Sequence, residues 1–73
     1  MSSNIPVLTS KEMERILLRI GFILYRQTGG HRIYIKDENQ VVLPYHSKDL
    51  KKGTIAQIIK ASGLTLEEFK KYI

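Results

Sequence analysis

Cysteine and tryptophan are missing from the 73 residues, and proline, methionine and histidine occur only twice each. Each scarcity excludes something. Without thiols there is no disulfide staple, no thiolate metal site and no cysteine nucleophile, so the composition suits a reducing compartment and the expected location is the cytoplasm. The two histidines stand fifteen residues apart, outside any His-Glu-x-x-His spacing. They make a poor metal pair, and neither a metal nor another cofactor is expected. No apolar run approaches the roughly 20 residues that a membrane span needs. The stretch Met1-Ser2-Ser3-Asn4-Ile5-Pro6 lacks a basic segment leading into an apolar one, so neither secretion nor membrane attachment is expected.

At this length the chain should form one domain, burying only about 60% of its unfolded surface and therefore resting on a thin core. Twelve Lys and Arg against seven Asp and Glu give a net charge of +5 and a pI of about 9.7. On so small a surface that excess favours an anionic partner, nucleic acid before membrane.

Residues 1–7 have no hydrophobic periodicity and contain a proline, so they read as a flexible arm ahead of a single domain over 8–73. Thr9 with Glu12 forms a capping box, and Leu8 with Met13 a hydrophobic staple, which together start a helix. Met13, Ile16, Leu17 and Ile20 fall on one face of it, and Gly21 closes it. Phe22 to Gln27 reads as a strand, Thr28-Gly29-Gly30 as a hairpin turn, and His31 to Lys36 as a second strand. In that second strand His31, Ile33 and Ile35 share one face and Arg32, Tyr34 and Lys36 the other. Asp37-Glu38-Asn39 turns the chain into a third strand, Gln40 to Leu43, stopped by Pro44. After a polar connection, Thr54 with Gln57 suggests a capping box for a second helix that carries Ile55, Ile58 and Ile59 and ends at Gly63. Thr65 with Glu68 suggests another, for a short last helix. The predicted fold is α+β, two-layered, with helices on one face of a three-stranded antiparallel sheet in the order α-β-β-β-α-α.

The candidate chemistry centres on His31, because an imidazole, with an unperturbed pKa near 6.5, exchanges a proton at neutral pH. Gly29 and Gly30 permit close approach of backbone to a phosphate, and Arg26, Arg32 and Lys36 on the flanking strands are candidates to hold it. They lie between two predicted strands, so they make neither a Walker loop nor a dinucleotide fingerprint. His46 follows Pro44-Tyr45. In a meander the end of the third strand lies near the start of the second, which brings His46 to His31's end of the sheet as a possible second acid or base. Lys48, Lys51 and Lys52 precede the second helix, a basic cluster suited to phosphate contact. Tyr34 and Tyr45 could stack on unpaired bases. On spacing alone His31 also fits a plain hairpin histidine, and the lysines fit a solvated loop.

The run Gly29-Gly30-His31-Arg32-Ile33-Tyr34, followed by Val42-Leu43-Pro44-Tyr45-His46 and by Lys51-Lys52-Gly53-Thr54, resembles the HicA-type mRNA interferase toxins. The likeness extends from Gly21-Phe22 through Arg26-Gln27 to Ser62-Gly63-Leu64, most of the chain. It implies a fold like the double-stranded RNA-binding domain, in agreement with the order read from the residues. It implies a toxin of a type II toxin–antitoxin system, an endoribonuclease that cleaves mRNA without a cofactor and is neutralised by a HicB-type antitoxin covering its active surface. The histidine of the family's Gly-Ser-His triplet falls on His31, which the resemblance makes the catalytic residue. This chain has Gly30 where the family most often has serine, so that hydroxyl is absent. The alternative function is a non-catalytic RNA-binding module of the same fold.

Overall fold

The computed structural model describes residues 5–73, so the first four residues of the expected arm lie outside it. Helix α1 (Ser10–Ile20) is followed by strands β1 (Ile23–Thr28), β2 (His31–Lys36) and β3 (Asn39–Pro44), then α2 (Lys52–Ala61) and the short α3 (Leu66–Lys70). The strands form one antiparallel sheet in the order β1-β2-β3. This is the α+β architecture and element order expected from the hydrophobic pattern.

Both termini of the chain's helical parts follow local chemistry closely. Thr9 accepts from the Glu12 N–H at 3.2 Å while the Thr9 N–H donates to Glu12 Oε1 at 2.9 Å, closing the capping box of α1. Thr65 and Glu68 do the same for α3, at 3.1 and 2.9 Å. Gly21 ends α1 with φ of 121°, a conformation that disfavours a side chain, and its N–H reaches back to Leu17 O at 3.2 Å.

The start of α2 differs from expectation. Thr54 and Gln57 do not cap it; the helix begins three residues earlier, with Lys51 as its N-cap and no side-chain hydrogen bond there. The cause is a contact distant in sequence. The Leu50 N–H donates to Leu8 O at 2.8 Å, Thr9 bridges Asp49, and the Leu50 side chain is buried. With residue 50 pinned in the core, the helix propagates directly from it and Thr54 falls in its first turns.

The core lies between the helices and one face of the sheet. Met13, Ile16 and Leu17 of α1 meet Ile55, Ile58 and Ile59 of α2, Phe69 of α3, and Tyr34, Val41 and Leu43 of the sheet. Phe22, expected in the first strand, instead precedes β1 and is buried among them. Ile5 packs partly against the same cluster. Of the two faces of β2, the one with Tyr34 is therefore inward, and the one with His31, Ile33 and Ile35 is the outer face.

Thr9→Ala and Thr65→Ala should each cost about 1 kcal/mol through loss of a helix cap, whereas Thr54→Ala should cost none of that cap energy. Urea titration of the three variants checks this, and equal losses at Thr9 and Thr54 would contradict the assigned start of α2.

Candidate active site

His31 is the first residue of β2, exposed, directly behind the two-residue turn Gly29-Gly30. Thr28 faces it across β1 and Pro44 across β3. Gly29 has φ of 54°, so the turn needs glycine there, but Gly30 is not in the left-handed region and a Cβ on it would meet nothing within 4 Å. A serine hydroxyl at position 30 therefore fits this backbone without strain. The sequence offered no means of telling the two glycines apart.

The end of β3 is fastened at this same edge. The Tyr45 N–H donates to Gly30 O at 2.7 Å, which ties the chain before His46 to the turn before His31. The fully buried Ser10 hydroxyl donates to Pro44 O at 2.7 Å and accepts from the His46 N–H at 3.2 Å. In sequence Ser10 merely follows the capping Thr9. Its role depends on contacts 34 and 36 residues away, which no local pattern encodes. Both imidazoles are thus carried at the turn end of the sheet. Beyond them a shallow groove is lined by Pro44, His46, Lys48, Lys51 and Thr54, among others, so two of the predicted lysines join this end of the molecule. Lys52 opens α2 beside them, and the helix presents its first N–H groups there without a side-chain cap.

Other predicted residues divide by face. Arg26 is opposite Ile33 and shares the outer face with His31. Arg32 is on the inner face, where its guanidinium donates to Glu14 of α1 at 2.7 Å and lies over the Tyr45 ring at 3.8 Å from the centroid. Lys36 is five residues along the strand from His31, about 17 Å away at strand rise, and its ammonium donates to Ile20 O at the end of α1 at 3.1 Å. Arg26 and His31 thus share the outer face with Gly29 and Gly30 at its turn end, His46, Lys48 and Lys51 line the groove beyond Pro44 with Lys52 next to it, and Arg32 and Lys36 are held in contacts with α1. Tyr34 is fully buried and cannot stack on a base.

Glu14 carries no signal in the sequence beyond being a charged position off the apolar face of α1. Its carboxylate accepts from Arg32, from the Tyr34 hydroxyl and, at 3.4 Å, from the Tyr45 hydroxyl. Partial burial by itself would raise the Glu14 pKa, but the hydrogen bonds from Tyr34 and Arg32, the Arg32 charge and the Tyr45 hydroxyl together hold it below its ordinary value of 4.5. Burial first, and then the bond to the Glu14 carboxylate, push the Tyr34 phenol well up. Among the described residues no group of three or more His, Cys, Asp or Glu side chains gathers where it could hold a metal.

The molecule is thus a small α+β domain with one open sheet face and both imidazoles at the turn end of that sheet. A family model described as the HicA toxin of bacterial toxin–antitoxin matches residues 10–64, and the chain belongs to that family. The match runs from the start of α1 to just past α2 and takes in all of the predicted site residues. Membership makes the chain a toxin and implies a cognate antitoxin. No curated protein matches the chain. No described helix is long and apolar enough to cross a membrane.

Because the folded Glu14 pKa is depressed, its contribution to stability is full above pH 4.5 and is lost as the pH falls through the lower folded value. Wild type should accordingly exceed Glu14→Gln in stability near neutrality, and the gap should close on acidification below pH 4.5; a gap that stays constant with pH would refute the ion pair. Glu14→Ala should cost about 1–3 kcal/mol, because it leaves the buried Tyr34 hydroxyl without its acceptor.

Proposed function

We propose that this toxin is an endoribonuclease that cleaves mRNA, with His31 as the proton-transferring residue. The observation that carries this is the position of His31: exposed on the open sheet face, behind a turn whose glycines have open space where a side chain would begin, and stitched through Gly30 and Tyr45 to the segment with the second imidazole. RNA supplies its own nucleophile. His31 takes the proton of a 2′-hydroxyl, the freed oxygen attacks the adjacent phosphorus, and the P–O5′ bond breaks. His46, in its protonated form, gives the leaving 5′-oxygen its proton. The products are a 2′,3′-cyclic phosphate and a 5′-hydroxyl, and no metal takes part. Arg26, Lys48, Lys51 and Lys52, with the uncapped start of α2, contact the phosphates on either side, in keeping with the +5 net charge. The location is the cytoplasm, where mRNA is found. A HicB-type antitoxin restrains the activity in the cell.

The open space at Gly30, where a serine would fit, keeps a second reading in view, in which the chain binds RNA through the same surface without cleaving it, for want of the family's serine hydroxyl.

Cleavage of a labelled mRNA by the purified toxin separates the two. His31→Ala should lower the cleavage rate by about 10²- to 10⁴-fold, the usual worth of a positioned acid–base group, with RNA affinity and the circular dichroism spectrum kept. His46→Ala should lower it less. Gly30→Ser should fold, be more stable by up to about 1 kcal/mol through a less free unfolded chain, and cleave at least as fast as wild type. Equal cleavage by wild type and His31→Ala would refute the assignment. Salt-sensitive binding with no cleavage by wild type, and cleavage gained by Gly30→Ser, would support the non-catalytic reading.

A further inference from the structure

The least covered element of the molecule is β1, which serves none of the roles above except through Arg26. It is an edge strand, and all six of its residues are exposed. Three consecutive large apolar side chains stand in water there: Ile23 at 61%, Leu24 at 44% and Tyr25 at 63% exposure. The opposite edge, β3, has α2 packed beside it. Natural edge strands of this length are generally guarded by lysine, proline or a covering element. On β1 the guard is limited to one bulge, where the register shifts between Leu24 and Arg26 and Tyr25 is left without a partner on β2.

The backbone direction follows from the ladder. The bond from the Tyr45 N–H to Gly30 O flanks the His31–Pro44 pair, so His31 turns its own N–H and C=O towards Thr28 on β1. One residue further along, Gln27 must then turn its N–H and C=O outward, away from the sheet. An extended polypeptide laid along β1 can pair with these groups and cover the apolar side chains.

Charge decides between occupants. A second copy of this chain also carries +5 and would bring two surfaces of the same charge together. A nucleic acid offers no strand ladder and gains little from Ile23 and Leu24. An acidic protein segment satisfies all three conditions: it pairs with the backbone, covers the apolar row and neutralises the basic surface around Arg26.

We infer that β1 is the docking strand for the cognate antitoxin, which adds an extended, acidic segment to the sheet as a fourth strand beside β1. Covering β1 also brings the partner alongside Arg26 and Thr28, the neighbours of His31 on the outer face. The inference deepens the antitoxin part of the proposed function and rests on it, but not on the nuclease part.

The test uses the full chain and its cognate antitoxin, isolated bound to it, with affinity and RNA cleavage measured on the same preparations. Tyr25→Glu, at an exposed site that leaves the core untouched, should weaken antitoxin binding by about tenfold or more. Tyr25→Lys should weaken it less, since lysine meets an acidic partner. Gln27→Pro, which removes the outward N–H, should weaken it as Tyr25→Glu does, and hydrogen exchange of the β1 amides in the wild type should slow in the complex. Cleavage by the free Tyr25 variants should match wild type. Unchanged affinity in Tyr25→Glu, or β1 amides that exchange equally with and without antitoxin, would overturn the inference. So would loss of RNA binding in Tyr25→Glu, which would make β1 a nucleic-acid surface. A wild-type dimer that Tyr25→Glu dissociates would overturn it too, by showing that a second copy occupies the edge. Failure of wild type to cleave RNA bears on the nuclease proposal alone.

Discussion

The carboxylate of Glu14 holds this fold in register. A core as small as this one leaves helix and sheet free to slide over each other unless something specific fixes them. Glu14 does so by accepting from three side chains at once: Arg32 and Tyr34 on the inner face of β2, and Tyr45 just past β3. A chain shifted by one residue in β2 would turn His31 inward and Tyr34 outward. The same contact that seats α1 on the sheet thus determines which side of β2 carries the imidazole.

That dependence explains what could be read from the sequence. The caps of α1 and α3 were legible because Thr9 with Glu12, and Thr65 with Glu68, are local devices with all their partners within three residues. The two faces of β2 were legible as a period of two. Which face was inner was not, because that is settled by Glu14, 18 and 20 residues away from Arg32 and Tyr34. The start of α2 was misplaced for a related reason. Thr54 and Gln57 have the right spacing for a cap, but Leu50 is held by Leu8 and fixes the helix earlier. Long-range contact prevailed over local preference at each such point.

The candidate site divides in the same way. Sequence placed both histidines at one end of the sheet, because a meander allows nothing else. It grouped Arg32 and Lys36 with His31 because they are near in sequence, while the pleat and the needs of α1 take them elsewhere. Ser10 could not have been found locally at all. A buried hydroxyl that serves one carbonyl and one N–H of a distant segment has no signature beyond being a serine at a helix start.

The stitching of Leu8, Thr9 and Ser10 to the segment from Pro44 to Leu50 has a practical bearing. The stretch that carries His46 is fastened by residues just ahead of and at the start of α1. A force applied to the chain ahead of Leu8, as by a tether in a pulling experiment, therefore reaches the loop beside the imidazoles. The amino-terminal approach to α1 works as a handle on the site, although it contributes no reacting group to it.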